Sequence, residues 1–140
     1  MRSPSFLPRL LALSAAIGCS SPVHPSVDTA SIHGAWASDQ ATLTISDGTA
    51  TLELLASGGC FGSYGQIHQP IPFGDFVVSG TYTQLIGAYP GTLQYAAQYS
   101  GQEDGADLRL TITVPALSLS IGPMDLTAGR RQDWPACQYP

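Results

Sequence analysis

The 140-residue chain contains no lysine, and charged residues of all kinds make up only 11% of it, less than half of the share usual in globular proteins. Two of its five arginines, Arg2 and Arg9, lie at the extreme N-terminus; beyond them Arg109, Arg130 and Arg131 stand against ten carboxylates. A chain so poor in positive charge has no footprint for a phosphate backbone, so nucleic acid is excluded as a partner. The same shortage excludes a polybasic grip on anionic lipid. Long apolar runs are missing too: the longest, Leu10 to Gly18, has nine residues, where a spanning helix needs about twenty. From Ile32 onward no convincing helical period occurs. What fills the polar positions is Ser, Thr, Gln and Gly, and the apolar share of 44% is too high for a disordered segment. One domain is all that this length allows.

Met1 to Arg9 carries two positive charges ahead of the short apolar run, the layout of a secretory signal that is removed and takes no part in the fold. The run ends in Ala16-Ile17-Gly18-Cys19. This resembles the bacterial lipobox, in which small residues lead into a cysteine that receives lipid and becomes the new N-terminus; the usual pattern has Leu where this chain has Ala16. The resemblance implies a signal peptide over 1–18, lipidation at Cys19, and a cell-envelope protein held to a membrane. Ser20, rather than Asp, follows the cysteine, which by the same resemblance favours the outer membrane. The alternative is cleavage at a small-x-small site such as Ser14-Ala15-Ala16, releasing a soluble protein. The cysteine count bears on the choice. An exported chain is expected to pair its cysteines, and three leave one over. If Cys19 takes lipid, Cys60 and Cys137 remain as a disulfide. Ser20 to Ser31 is rich in Ser and Pro without periodicity and reads as a tether, so that 19–31 is lipidated terminus and linker; twelve such residues reach on the order of 20 Å.

From 32 to 140 the pattern is that of an all-β domain. Ala41, Leu43 and Ile45 alternate with hydroxyl residues, Asp47-Gly48 follows, and Ala50, Leu52 and Leu54 alternate again. Two alternating runs joined by Asp-Gly predict a hairpin, because a type I′ turn needs positive φ at both central positions. Further strands are expected at His33 to Ser38, Asp75 to Thr83, around Leu93 to Tyr99, at Asp107 to Val114 and at Met124 to Ala128, with a weaker one near Phe61 to His68 and a turn at Gly101 to Gly105. Short connections favour pairing of neighbours in sequence. A meander wet on one face loses its exposed edges by closing. The expected fold is a small antiparallel up-and-down β-barrel, with a two-sheet β-sandwich as the alternative.

Gly34-Ala35-Trp36 resembles the Gly-x-Trp signature of lipocalin-like barrels, in which the Trp plugs one end. The stretches VSGTYTQ and AAQYSGQEDGADLRLTITV and the terminal cysteine are similar to small bacterial secreted proteins without assigned activity. Together these likenesses cover most of Ile32 to Pro140. They imply a calycin-type barrel and no particular chemistry.

Candidate chemistry is sparse. His24 lies in the tether, and His33 and His68 lack metal-ligand spacing, so no metal or other cofactor is expected. Gly62-Ser63-Tyr64-Gly65 is one residue too short for a nucleophile elbow. Glu103-Asp104 reads as a solvated pair in a turn, and the glycines from Gly58 to Gly62 precede no helix that could hold a phosphate. Trp36, Tyr82, Tyr95 and Tyr99 are the candidate walls of a ligand cavity, against the alternative that they fill a dry core. Gly58 to Gly74 and Ile86 to Thr92 are the longest expected irregular stretches, where Phe61, Tyr64, Phe73 and Tyr89 offer apolar contacts. The expected function is a monomeric, non-enzymatic envelope lipoprotein that binds a small apolar ligand or a protein partner. The alternatives are a structural or protective lipoprotein without a pocket and, with no catalytic set to support it, a hydrolase.

Overall fold

The computed structural model describes residues 31–56, 58–86 and 91–137. The signal segment, Cys19, the tether up to residue 30, and Tyr89 lie outside the described residues. Eight strands follow in sequence order: β1 (Gly34–Ala37), β2 (Ala41–Ser46), β3 (Thr49–Leu55), β4 (Phe61–Ile67), β5 (Asp75–Ile86), β6 (Gly91–Glu103), β7 (Asp107–Val114) and β8 (Leu119–Ala128). Each pairs antiparallel with the next, and β8 returns to β1 through Trp36 opposite Ala128, closing the barrel. The up-and-down barrel is therefore the fold, and the sandwich is not.

The Asp47-Gly48 hairpin forms as its residues dictate. Asp47 takes φ 50° and Gly48 φ 75°, and β2 pairs with β3 from Ala41 opposite Leu54 to Ser46 opposite Thr49. The apolar positions of both strands turn inward and are buried. The same alternation in β7 buries Leu108, Leu110, Ile112 and Val114.

Two elements, β6 and β8, depart from the sequence expectation. β4 forms where the weaker strand near Phe61 to His68 is expected. Its inward positions include Ser63 and Gly65, in register with Leu54 and Leu52, so it carries little apolar signal of its own. β6 runs straight through Gly101 and turns only after Glu103. Gly101 serves close approach, not a turn: a Cβ there would collide with the Arg109 carbonyl of β7 and lie 2.9 Å from the Phe76 ring. β8 starts at Leu119, five residues before the expected Met124, because Gly122-Pro123 sits at a register shift against Leu110 and Ile112, a position where a strand tolerates proline. A 3-10 turn, Pro115–Leu117, joins β7 to β8.

After β8 the chain does not end at the barrel rim. It crosses the outer surface over β2 and β3 to reach the start of β4. The Thr42 hydroxyl donates to the Gln132 carbonyl at 2.9 Å, which explains why this outward-facing threonine is buried. Arg130 pairs with Asp39 at 2.8 Å. The Phe61 amide donates to Pro135 and the Cys137 amide to Phe61, each at 3.0 Å. Cys60 and Cys137 are joined as a disulfide, with Cα atoms 4.9 Å apart.

Candidate functional site

Alternating strand direction sorts the connections onto two ends of the barrel. One end holds the entry to β1, the Asp47-Gly48 turn, the segment between β4 and β5, and the β6–β7 turn. This end is sealed. Trp36, only 4% exposed, donates from Nε1 to the His33 carbonyl at 3.1 Å. Ile32 and Ile71 are buried and joined by a 2.9 Å backbone bond from the Ile32 amide to the Ile71 carbonyl. Glu103 completes the seal. Its phase on β6 is inward, shared with Tyr99 and opposite Leu108, and it is 8% exposed. One carboxylate oxygen accepts the Gly105 amide and the other the Gly74 amide, tying two connections together. The sequence reading placed Glu103 and Asp104 together in solvent. Only Asp104 is exposed, because the strand continues to Glu103 and carries its side chain inside.

The barrel centre is filled. Tyr99 has no exposed surface, and its ring lies against Gly65 of β4 and Gly80 of β5, where an added Cβ would meet the Tyr99 hydroxyl and ring. The hydroxyl donates to the Thr81 carbonyl at 2.5 Å. Burial, and secondarily the neighbouring Tyr82, push the Tyr99 phenol above its ordinary pKa, so it stays a neutral donor. Two of the four candidate cavity residues, Trp36 and Tyr99, thus pack in the plug and the centre.

The other end is different. It gathers the β1–β2 turn, the β3–β4 connection, the β5–β6 connection and the Pro115–Leu117 turn. Two hollows of about 350 and 360 Å³ lie here and share Leu54, Leu55, Ala56 and Ser63. The first continues along Gly62, Tyr82, Gln84 and Leu85. The second extends to Gln40, Ile121 and Met124. Tyr82 is the one candidate cavity residue among these walls; Tyr95 stands directly opposite it on β6, partly buried. The two adjoining hollows, treated as one cup, are open to solvent at this rim. No charged residue lines either hollow. Sequence reasoning missed Leu54, Ser63, Gln84, Ile121 and Met124 as site residues, since nothing in an alternating pattern marks which inward positions lie at a rim.

Two further hollows lie on the outer surface beside Asp125. One is lined by Gln102, Asp104, Asp107 and Arg109, the other by Ser38, Asp39, Gln40, Pro123 and Met124. Arg109 pairs with Asp125 at 3.1 Å. Both sites are exposed and acidic, and such solvated pairs contribute little energy. His33 and His68 are exposed. Among the described residues no three His, Cys, Asp or Glu side chains are grouped to hold a metal ion. Compared with known proteins, the chain matches no family model, no curated sequence and no solved structure.

Proposed function

We propose that the protein is a non-enzymatic cell-envelope lipoprotein, anchored through lipid on Cys19, that holds a small apolar molecule in the cup at the unsealed end of its barrel. The observation that supports this reading is the inequality of the two ends. A barrel serving only as filler has no reason to plug one end with Trp36, Ile32, Ile71 and a clasped Glu103 while leaving hollows of about 350 Å³ at the other. That volume falls at the small end of the range for ligand sites, and side chains such as Leu54, Tyr82, Ile121 and Met124 supply apolar contact.

The route of the chain fits an anchor. Ser31 bridges to Pro72 at the sealed end, so the chain leading back to Cys19 departs from there. A lipid on Cys19 would then attach the domain through its sealed end, leaving the rim of the cup free of the tether. Two acyl chains give stable attachment where one does not, and a multiply acylated cysteine meets that requirement.

Native mass spectrometry of protein purified from its own host tests the reading. A mature chain beginning at an acylated Cys19 and carrying a bound molecule is the expected result. A mature chain with a free thiol at Cys19 removes the anchor. A clean apo mass, with no ligand gained on exposure to host lipid extract, removes the carrier role and leaves a protein partner or a purely structural part.

A further inference from the structure

Charge is segregated along the barrel axis. Asp47, Asp75, Glu103, Asp104 and Asp107 all fall at the sealed end, on the turns and strand starts that form it. Toward the cup the sequence is empty of charge. No charged residue occurs from Phe76 to Gln102 or from Leu110 to Met124, and from Leu54 to Gly74 there is no Asp, Glu, Lys or Arg, the one histidine being His68, which lies at the sealed end after β4. Three of the four connections around the cup are therefore uncharged in sequence. The fourth holds Asp39, whose carboxylate is engaged by Arg130 at 2.8 Å. Asp125, next to Met124, lies on the outer surface and is engaged by Arg109 at 3.1 Å. The remaining nearby charges, Glu53, Arg131 and Asp133, belong to the outer face of β3 and the tail laid across it.

We infer that the cup selects an uncharged ligand, an apolar body with one neutral hydrogen-bonding end, and rejects carboxylates, sulfonates and phosphates. The inference rests on the carrier reading above and narrows it. The rim offers Gln40, Ser63 and Gln84, side chains that donate and accept hydrogen bonds without net charge. An ion seated against Leu54 and Tyr82, or against Ile121 and Met124, would give up part of its hydration and find no counter-charge among the lining residues, a cost that an apolar wall cannot offset. A neutral hydroxyl, amide or carbonyl loses far less and is met by the amide and hydroxyl groups of the rim. The carboxylates gathered at the other end further disfavour anions approaching the molecule as a whole.

Two fluorescent probes on one scaffold separate the possibilities: neutral N-phenyl-1-naphthylamine and its anionic relative 8-anilino-1-naphthalenesulfonate, titrated into the full mature protein. The neutral probe is expected to bind saturably, and the sulfonate more than about tenfold more weakly. Ser63→Trp, which fills the cup, abolishes the neutral signal, and Gln84→Arg, which puts a counter-charge on the rim, recovers sulfonate binding. Sulfonate binding as tight as that of the neutral probe overturns the selectivity while leaving the carrier reading intact. Failure of both probes, or neutral binding that survives Ser63→Trp in folded protein, overturns the carrier reading and the selectivity with it.

Discussion

The hydroxyl of Tyr99 occupies the space above Gly65 that a β-carbon would need. A large side chain on β6 and a missing one on β4 are thus two halves of a single packing solution. Gly80 of β5 makes the same concession to the other edge of the ring. This layer fills the barrel centre.

The pairing predicts non-additive mutational effects. Gly65→Ala overpacks the centre and is expected to cost about 1–3 kcal/mol. Tyr99→Phe removes the bond to the Thr81 carbonyl at about 1 kcal/mol. Because the atom nearest the new methyl is the tyrosine hydroxyl, the double variant is expected to be more stable than the sum of the two single losses implies. Urea denaturation of the four proteins measures this, and strict additivity would show that the ring does not seat on Gly65.

Cys60 and Cys137 close a span of 77 residues. Chain entropy then favours the folded state by about 4–5 kcal/mol as an upper figure, a large fraction of the stability of a small domain. Cys137→Ser, or reduction with dithiothreitol, is expected to lower the melting temperature sharply. The tail should loosen first, which hydrogen exchange at Phe61 and Cys137 would register. An unchanged melting curve under reducing conditions counts against the bridge.

Glu53 lies on the outer face of β3 beside the tail, and its carboxyl is held above the ordinary value of 4.5 by burial first and by Asp133 second, with Arg131 opposing. A carboxyl whose folded pKa is raised favours the folded state when protonated. That favour is complete below about 4.5 and is lost as pH rises through the raised folded value. Glu53→Gln is therefore expected to stabilise the protein modestly at pH 7. The advantage over the natural residue should shrink as pH falls through the raised folded value and be gone below the ordinary carboxylate value. Denaturant midpoints of both proteins across pH 3–8 check the sign, and a Gln variant less stable at pH 7 contradicts it.

Glu103 bonds the amides of Gly74 and Gly105. Glu103→Ala leaves both donors without their acceptor in a partly buried setting, at about 1 kcal/mol or somewhat more. Glu103→Gln keeps one acceptor oxygen and should lose less. Amide exchange at Gly74 and Gly105 should accelerate in the Ala variant while amides in the β2–β3 hairpin stay protected. Uniform acceleration across the barrel would mean that the residue supports global stability and not the seal.

Most of the strands were legible because their residues alternate. Ala41 to Ile45 and Leu108 to Val114 show an apolar face and a hydroxyl face with no ambiguity, and Asp47-Gly48 names its own turn. β4 was faint for a reason the structure supplies: its inward Ser63 and Gly65 leave volume for Tyr99 and the cup, so the strand lacks the apolar stripe by which strands are recognised. Gly101 reads as a turn in sequence because glycine marks both tight turns and close backbone approach, and only the Arg109 carbonyl beneath it distinguishes the two. The candidate site was legible in part. Tyr82 borders the cup and Tyr95 faces it across the strand pair, while Trp36 and Tyr99 are packed in the plug and the centre.

The sequence by itself determined which side chains face inward, since a period of two assigns every strand residue to one face. It also offered Cys60 and Cys137 as a pair, on the condition that Cys19 takes lipid, and the structure joins those two. Tertiary structure alone decided how far along the barrel axis each inward residue sits. That depth depends on register and strand tilt around the closed sheet, which no single strand encodes. Depth is what separates Tyr99 from Tyr82, puts Glu103 in a seal, and gathers Leu54, Ser63, Gln84, Ile121 and Met124 from four strands into one uncharged rim.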